Sequence, residues 1–181
     1  MDEADYKDYS SSFFAGLSGL SRTGKAVDSA DYDGDGRVSY AEAHAFAKVD
    51  GRTTDLPIST SEAWLQRRAT RRDRRRFLSA PIMEVLRGAR LDQRHVVESL
   101  VARLGFLPEL SVRDNLKTAM PRTEEAAAYV ERLYLELINI GMQEKLRASG
   151  TPQTLAVLDR LLQCENGSWD APPGAIEATA R

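Results

Sequence analysis

Three aspartates at alternate positions, Asp31, Asp33 and Asp35, open a twelve-residue stretch, Asp-Tyr-Asp-Gly-Asp-Gly-Arg-Val-Ser-Tyr-Ala-Glu, that closes on Glu42. Carboxylates at alternate positions of a short loop converge on one point, and the ligand that demands this is a hard cation. Calcium takes roughly six to eight oxygens, and a short loop wraps it only if those oxygens arrive in alternation. On this reading Asp31, Asp33 and Asp35 supply loop positions 1, 3 and 5, and the backbone carbonyl of Arg37 supplies position 7. Ser39 acts at position 9 through a water, and Glu42 at position 12 has the reach to close the shell with both carboxylate oxygens. Gly36 sits at position 6, where the chain must turn through a left-handed conformation that a side chain opposes.

This spacing resembles the calcium loop of the EF-hand family. The resemblance implies Ca2+ as the bound ion and Val38 as the residue whose backbone pairs with a second hand. Four carboxylates held close repel one another, so the ion relieves that repulsion, orders the loop and stabilises this part of the fold. The competing reading is an acidic turn that is merely solvated. No second loop of this kind occurs in the sequence. Calcium-sensing members of the family pair their hands, so the expectation is a structural rather than a sensing ion.

The segments around the loop depart from a regular hand. Ser10-Ser11-Ser12 before Phe13-Phe14-Ala15-Gly16-Leu17 predicts a capped helix ending near Gly19. Ser21 to Lys25 then intervenes, with Gly24 as a breaker and Ala26-Val27 extended, so the first helix does not run into the loop. On the exit side, Tyr40 to Val49 carries strong alanine propensity and an apolar stripe at Ala43, Phe46 and Ala47 before the Asp50-Gly51 stop.

The run from Tyr9 to Gly19, then Gly24-Lys25-Ala26-Val27, then the loop and Glu42 to Ala47, resembles the C-terminal part of bacterial caspase-like (legumain-related) cysteine peptidase domains. The likeness covers about residues 5 to 65. It implies that the chain is the tail of such a domain. The catalytic histidine and cysteine of that family lie upstream, and neither matches a position here, so no peptidase activity is expected of the chain by itself.

The other reactive residues do not assemble into a catalytic set. Cys164 is the only cysteine, which excludes an internal disulfide and a multi-cysteine metal site, and its helical context gives it a packing role. His44 and His95 are the only histidines and are too far apart for a zinc spacing. His44 is expected at a helix surface or partly buried. Gly16-Leu17-Ser18-Gly19 and Gly34-Asp35-Gly36 both lack the lysine and the strand-to-helix setting of a phosphate loop.

The chain has 181 residues, 42% hydrophobic and 29% charged, enough for one domain or two small ones. It holds no apolar stretch of membrane-spanning length, and its first residues are acidic where a secretory signal is basic and then apolar. The net charge of −2 hides a partition: residues 1–58 carry −5, residues 59–90 carry +6 and residues 91–181 carry −3. Within the basic part, seven of the ten residues from Arg67 to Arg76 are arginine. Ser59-Thr60-Ser61-Glu62 forms a capping box that predicts one helix from Ser59 through Trp64 and Leu65 toward Phe77-Leu78, ahead of Pro81. Its arginines suit nucleic-acid phosphates or an anionic membrane. The favoured reading is a solvated helix whose arginines pair with the acidic flanks, since no aromatic ladder accompanies them.

Beyond Pro81 the pattern is helical. Short helices are expected over residues 81–87 and 111–119, and longer ones over Asp92 to Leu104, from Thr123 to at least Gly141, and from Thr151-Pro152 through Leu155, Leu158, Leu161 and Leu162. The segment after Asn166-Gly167, with Pro172-Pro173-Gly174, predicts a disordered tail. The fold class is therefore mainly α, a single EF-hand-like calcium loop followed by an irregular helical region. Its segments are residues 1–58 (calcium-binding), 59–80 (arginine-rich connector), 81–165 (helical module) and 166–181 (tail). The helical faces suit a protein partner or a second copy of the chain.

Overall fold

The computed structural model describes residues 8–169. They form a mainly helical fold of nine α-helices: α1 (Tyr9–Ser18), α2 (Tyr40–Asp50), α3 (Thr60–Arg68), α4 (Arg71–Ser79), α5 (Ile82–Val85), α6 (Leu91–Leu104), α7 (Val112–Thr118), α8 (Glu124–Ser149) and α9 (Pro152–Glu165). No strand occurs among the described residues, only two isolated bridges, Leu20 with Ala26 and Ser39 with Ser168.

The long helix α8 organises the rest. Helices α3, α4, α5, α6 and α9 pack on it, α2 packs on α6, and α1 packs on α2. Helix α8 runs unbroken through Gly141, and that residue lets another helix touch its backbone: a Cβ there would lie 2.5 Å from the Phe77 ring. The helical stripes expected from the sequence face inward. Val96, Val97 and Leu100 of α6 and Leu133, Leu137 and Ile140 of α8 are fully buried in one core, with Ala45 of α2 and Ile82 of α5. A second core joins Trp64, Leu65, Phe77, Ile138, Met142, Leu158 and Leu162 from α3, α4, α8 and α9.

The loop between α1 and α2 behaves as the glycines dictate. Helix α1 is capped by the Asp8 carboxylate, which accepts from the Ser11 amide at 2.8 Å, and it ends at Gly19 in the left-handed conformation. The cap is Asp8 rather than one of the three serines. Val27 N–H then donates to the Gly19 carbonyl at 3.0 Å, folding residues 19–27 into a small turn about Gly24. Helices α1 and α2 approach closely, since a Cβ on Gly16 would meet Phe46 at 3.2 Å and the Ala43 backbone at 3.3 Å.

Two further sequence expectations are corrected. The arginine segment is two helices, not one. Thr70 and Asp73 form a second capping box, with Asp73 accepting from Thr70 N–H at 3.1 Å, and this restarts the chain after Ala69. Cys164 is exposed rather than packed, because α9 turns Leu158 and Leu162 inward and leaves position 164 facing solvent. Of the tail, residues 166–169 are described and lie against the start of α2, where Tyr40 N–H donates to the Gly167 carbonyl at 2.8 Å. The disorder expected at 170–181 falls outside the described residues.

Candidate metal centre

The loop from Asp31 to Glu42 is held in shape by its own carboxylates. Asp31 accepts from the amides of Gly34 at 2.8 Å, Asp35 at 3.1 Å and Gly36 at 3.0 Å. Asp33 accepts from Asp35 N–H at 3.1 Å and Asp35 from Arg37 N–H at 2.8 Å. Gly34 and Gly36 take φ of 74° and 84°, the left-handed turns that permit this coiling. The three aspartates converge, each offering one carboxylate oxygen within 4.8 Å of the others. All-oxygen donors at this spacing fit a hard divalent cation better than a softer transition metal.

Glu42 occupies the base of the loop and is buried. One carboxylate oxygen accepts from the amides of Tyr32 at 2.8 Å and Asp33 at 3.2 Å, and the other accepts from the amide and hydroxyl of Ser39, both at 2.8 Å. Glu42 thus ties the first residues of the loop to the last and, with Ser39, closes the capping box that starts α2. Ser39 is engaged as that cap. The Arg37 side chain points outward, 4.0 Å from Asp35. Asp33, Asp35, Ser39 and Glu42 line an open cleft whose far wall is Arg90 and Asp92 of the α6 start. Asp92 is clasped by Arg90 through two hydrogen bonds, at 3.1 and 2.8 Å. Behind the loop, the Tyr32 ring stacks on His95 at 4.0 Å, which joins the loop to α6. Burial pushes the His95 pKa down, with Glu98 opposing, so the ring favours its neutral form.

A second charged cluster escaped the reading of the sequence. His44 is buried, its Nδ1 2.7 Å from the Tyr9 hydroxyl and its Nε2 3.1 Å from Glu62. Lys48, one turn further along α2, donates to Glu62 and to Glu136 of α8. Glu62 had been readable only as the capping residue of α3, which it also is: Ser59 N–H donates to it at 2.9 Å. The only sequence signal is that Ala41, His44, Ala45 and Lys48 recur at helical spacing, so a charged residue continues a buried stripe. Burial raises the Glu62 carboxyl, yet the charge of Lys48 and the bond from His44 outweigh it and hold the group below the usual carboxylate range. The partly open pocket beside these residues, about 30 Å³, has room for about two water molecules.

Arg132 carries no sequence signal for its role. Its buried guanidinium caps the end of α2, donating to the carbonyls of Lys48 at 2.8 Å, Gly51 at 2.9 Å, Thr53 at 2.8 Å and Asp55 at 2.8 Å. The helix that leaves the candidate metal loop is therefore fixed at both ends, by Glu42 and by Arg132.

Compared with protein-family models, curated proteins and solved structures, the chain matches none. The EF-hand and caspase-like resemblances consequently rest on the residues that carry them. No helix among the described residues is long and apolar enough to cross a membrane.

Proposed function

We propose that residues 31–42 bind one calcium ion and that the ion is a structural clip. The observation that carries this reading is the convergence of the Asp31, Asp33 and Asp35 carboxylates on a loop whose two glycines take left-handed turns. Asp31, Asp33 and Asp35 would hold the ion with the Arg37 carbonyl, Ser39 and Glu42. Its charge would offset the mutual repulsion of those carboxylates.

What surrounds the loop supports a structural rather than a sensing role. Glu42 already links both ends of it, Arg132 fixes the far end of α2, and Gly16 lets α1 lie tightly on α2. A sensor needs a helix pair that opens on binding. Here the helix after the loop is anchored on three sides. The test is calorimetric titration of calcium into the wild type and an Asp33→Asn/Asp35→Asn variant, followed by thermal unfolding of both with and without the ion. Heat of binding and stabilisation in the wild type, both lost in the variant and without new dye-accessible apolar surface, is the expected result. Equal heats for the two proteins overturn the site, and a large calcium-dependent exposure of apolar surface overturns the structural role.

A further inference from the structure

The arginines of α3 and α4 form a cationic surface that the rest of the described molecule does not neutralise. Arg71, Arg72, Arg75 and Arg76 are exposed on one side of α4, while Asp73 and Phe77 of the same helix turn inward. Arg67 and Arg68 continue the exposed surface at the end of α3. The segment 59–90 has three carboxylates, and two are consumed internally. Glu62 is buried with Lys48 and His44. Asp73 accepts from Lys145 at 2.7 and 2.8 Å and from the Thr70 hydroxyl at 2.7 Å. Among the described residues none of the six exposed guanidiniums takes part in an ion pair. The exposed side chains agree with the solvated helix that the sequence favours, and no pairing with the acidic flanks occurs among the described residues.

The chemistry of the surface selects its partner. All the basic residues from 67 to 76 are arginine, whose planar fork grips a phosphate with two parallel hydrogen bonds where lysine offers only a point charge. The pairs Arg71/Arg75 and Arg72/Arg76 sit one turn apart, about 6 Å along the axis. A duplex presents one negative charge per roughly 1.7 Å of its length, so two such rows meet several phosphates together. Membrane insertion needs a free apolar face on the same helix. The apolar residues of α4, Phe77 and Leu78, already pack on the cores. Single strands need exposed aromatic platforms. The rings carried by these two helices, Trp64 and Phe77, are both buried, and Trp64 is covered by Arg68 at 3.7 Å.

We propose that the α3–α4 surface docks the phosphate backbone of double-helical nucleic acid without reading its bases. This binding is independent of the metal loop, and calcium and chelator leave it unchanged. The experiment titrates the full chain into fluorescently labelled DNA and RNA duplexes of about 20 base pairs at about 50 and 200 mM KCl. With four to six phosphate contacts, affinity falls by about a hundredfold to a thousandfold over that range. Replacing Arg71, Arg72, Arg75 and Arg76 by glutamine cuts the salt slope by about 3 to 4 and weakens binding at least tenfold. Replacing the same four by lysine keeps most of the slope at reduced affinity. Circular dichroism checks the fold of each variant, and the smaller change Arg71→Gln/Arg75→Gln, expected to produce about half that loss of slope, serves if the fourfold variant misfolds. Absence of duplex binding at the lower salt overturns the proposal. So does wild-type binding by the glutamine variants, or tighter binding to vesicles containing phosphatidylserine than to either duplex.

Discussion

Lys48 of α2 reaches Glu136 of α8 at 2.5 Å across 88 residues of sequence, and both side chains are buried. The same ammonium group also holds Glu62 of α3, so one cation joins three helices in an interior that offers the charges almost no water. Burial lowers the lysine pKa and the two carboxylates raise it, and the carboxylates win, which keeps Lys48 charged. Burial raises the pKa of Glu136 against the pull of Lys48.

Removing the cation takes the charge partner from Glu136 and leaves Glu62 with only its hydrogen bonds to His44 and Ser59. Lys48→Met is expected to destabilise the protein by about 3–5 kcal/mol, read as a shift of the urea unfolding midpoint. A second variant, Lys48→Met/Glu136→Gln, should recover part of that loss, since contacting residues couple by about 0.5–3 kcal/mol. A loss below about 1 kcal/mol in the single variant, with no recovery in the double, would show that the cluster is not uniquely organised around this lysine.

Gly141 is the point where the Phe77 ring rests on the α8 backbone, 2.5 Å from where a Cβ would stand. In an ordinary helix interior Gly→Ala gains about 1 kcal/mol. Here the ring is buried and cannot retreat, so Gly141→Ala is expected to cost about 1–3 kcal/mol instead. Thermal unfolding decides the sign, and stabilisation by the alanine would mean that the second core repacks freely.

Asp73 links stability to pH. The Lys145 hydrogen bond, with help from Thr70 and against some desolvation, holds its carboxyl down to about 2. An unfolded aspartate titrates near about 3.9. The charged form is therefore favoured by folding: its contribution is complete above the unfolded value and is lost as pH falls toward the folded one. Because Lys145 is 39% exposed, solvent screening limits this to about 1 kcal/mol. Asp73→Asn should show a shallower fall in unfolding temperature between about pH 5 and pH 2 than the wild type. Parallel curves would remove Asp73 from the acid response.

Much of the helical architecture was legible because it depends on local signals. The stripe Val96, Val97, Leu100 and Val101 and the stop at Gly105 announce α6, and Ser111, Thr123 and Thr151 are the caps their positions suggest. The convergence of Asp31, Asp33 and Asp35 was equally local. What was not legible depends on partners far along the chain. Lys48 looks like a surface residue until Glu136 is folded against it, and Arg132 looks like any helix arginine until four carbonyls from residues 48–55 surround it. The break at Ala69 was local and was still missed, because the arginine run conceals the Thr70–Asp73 capping box.

The bridge between Ser39 and Ser168, with Tyr40 N–H donating to the Gly167 carbonyl, gives the loop at residues 31–42 a second anchor from the far end of the described chain. Fraying at the end of α9 and loosening of the loop are thereby expected to be coupled, so if the proposed ion binds at Asp31, slower amide exchange is expected not only at residues 31–42 but also at Asn166 and its neighbours, more than a hundred residues away.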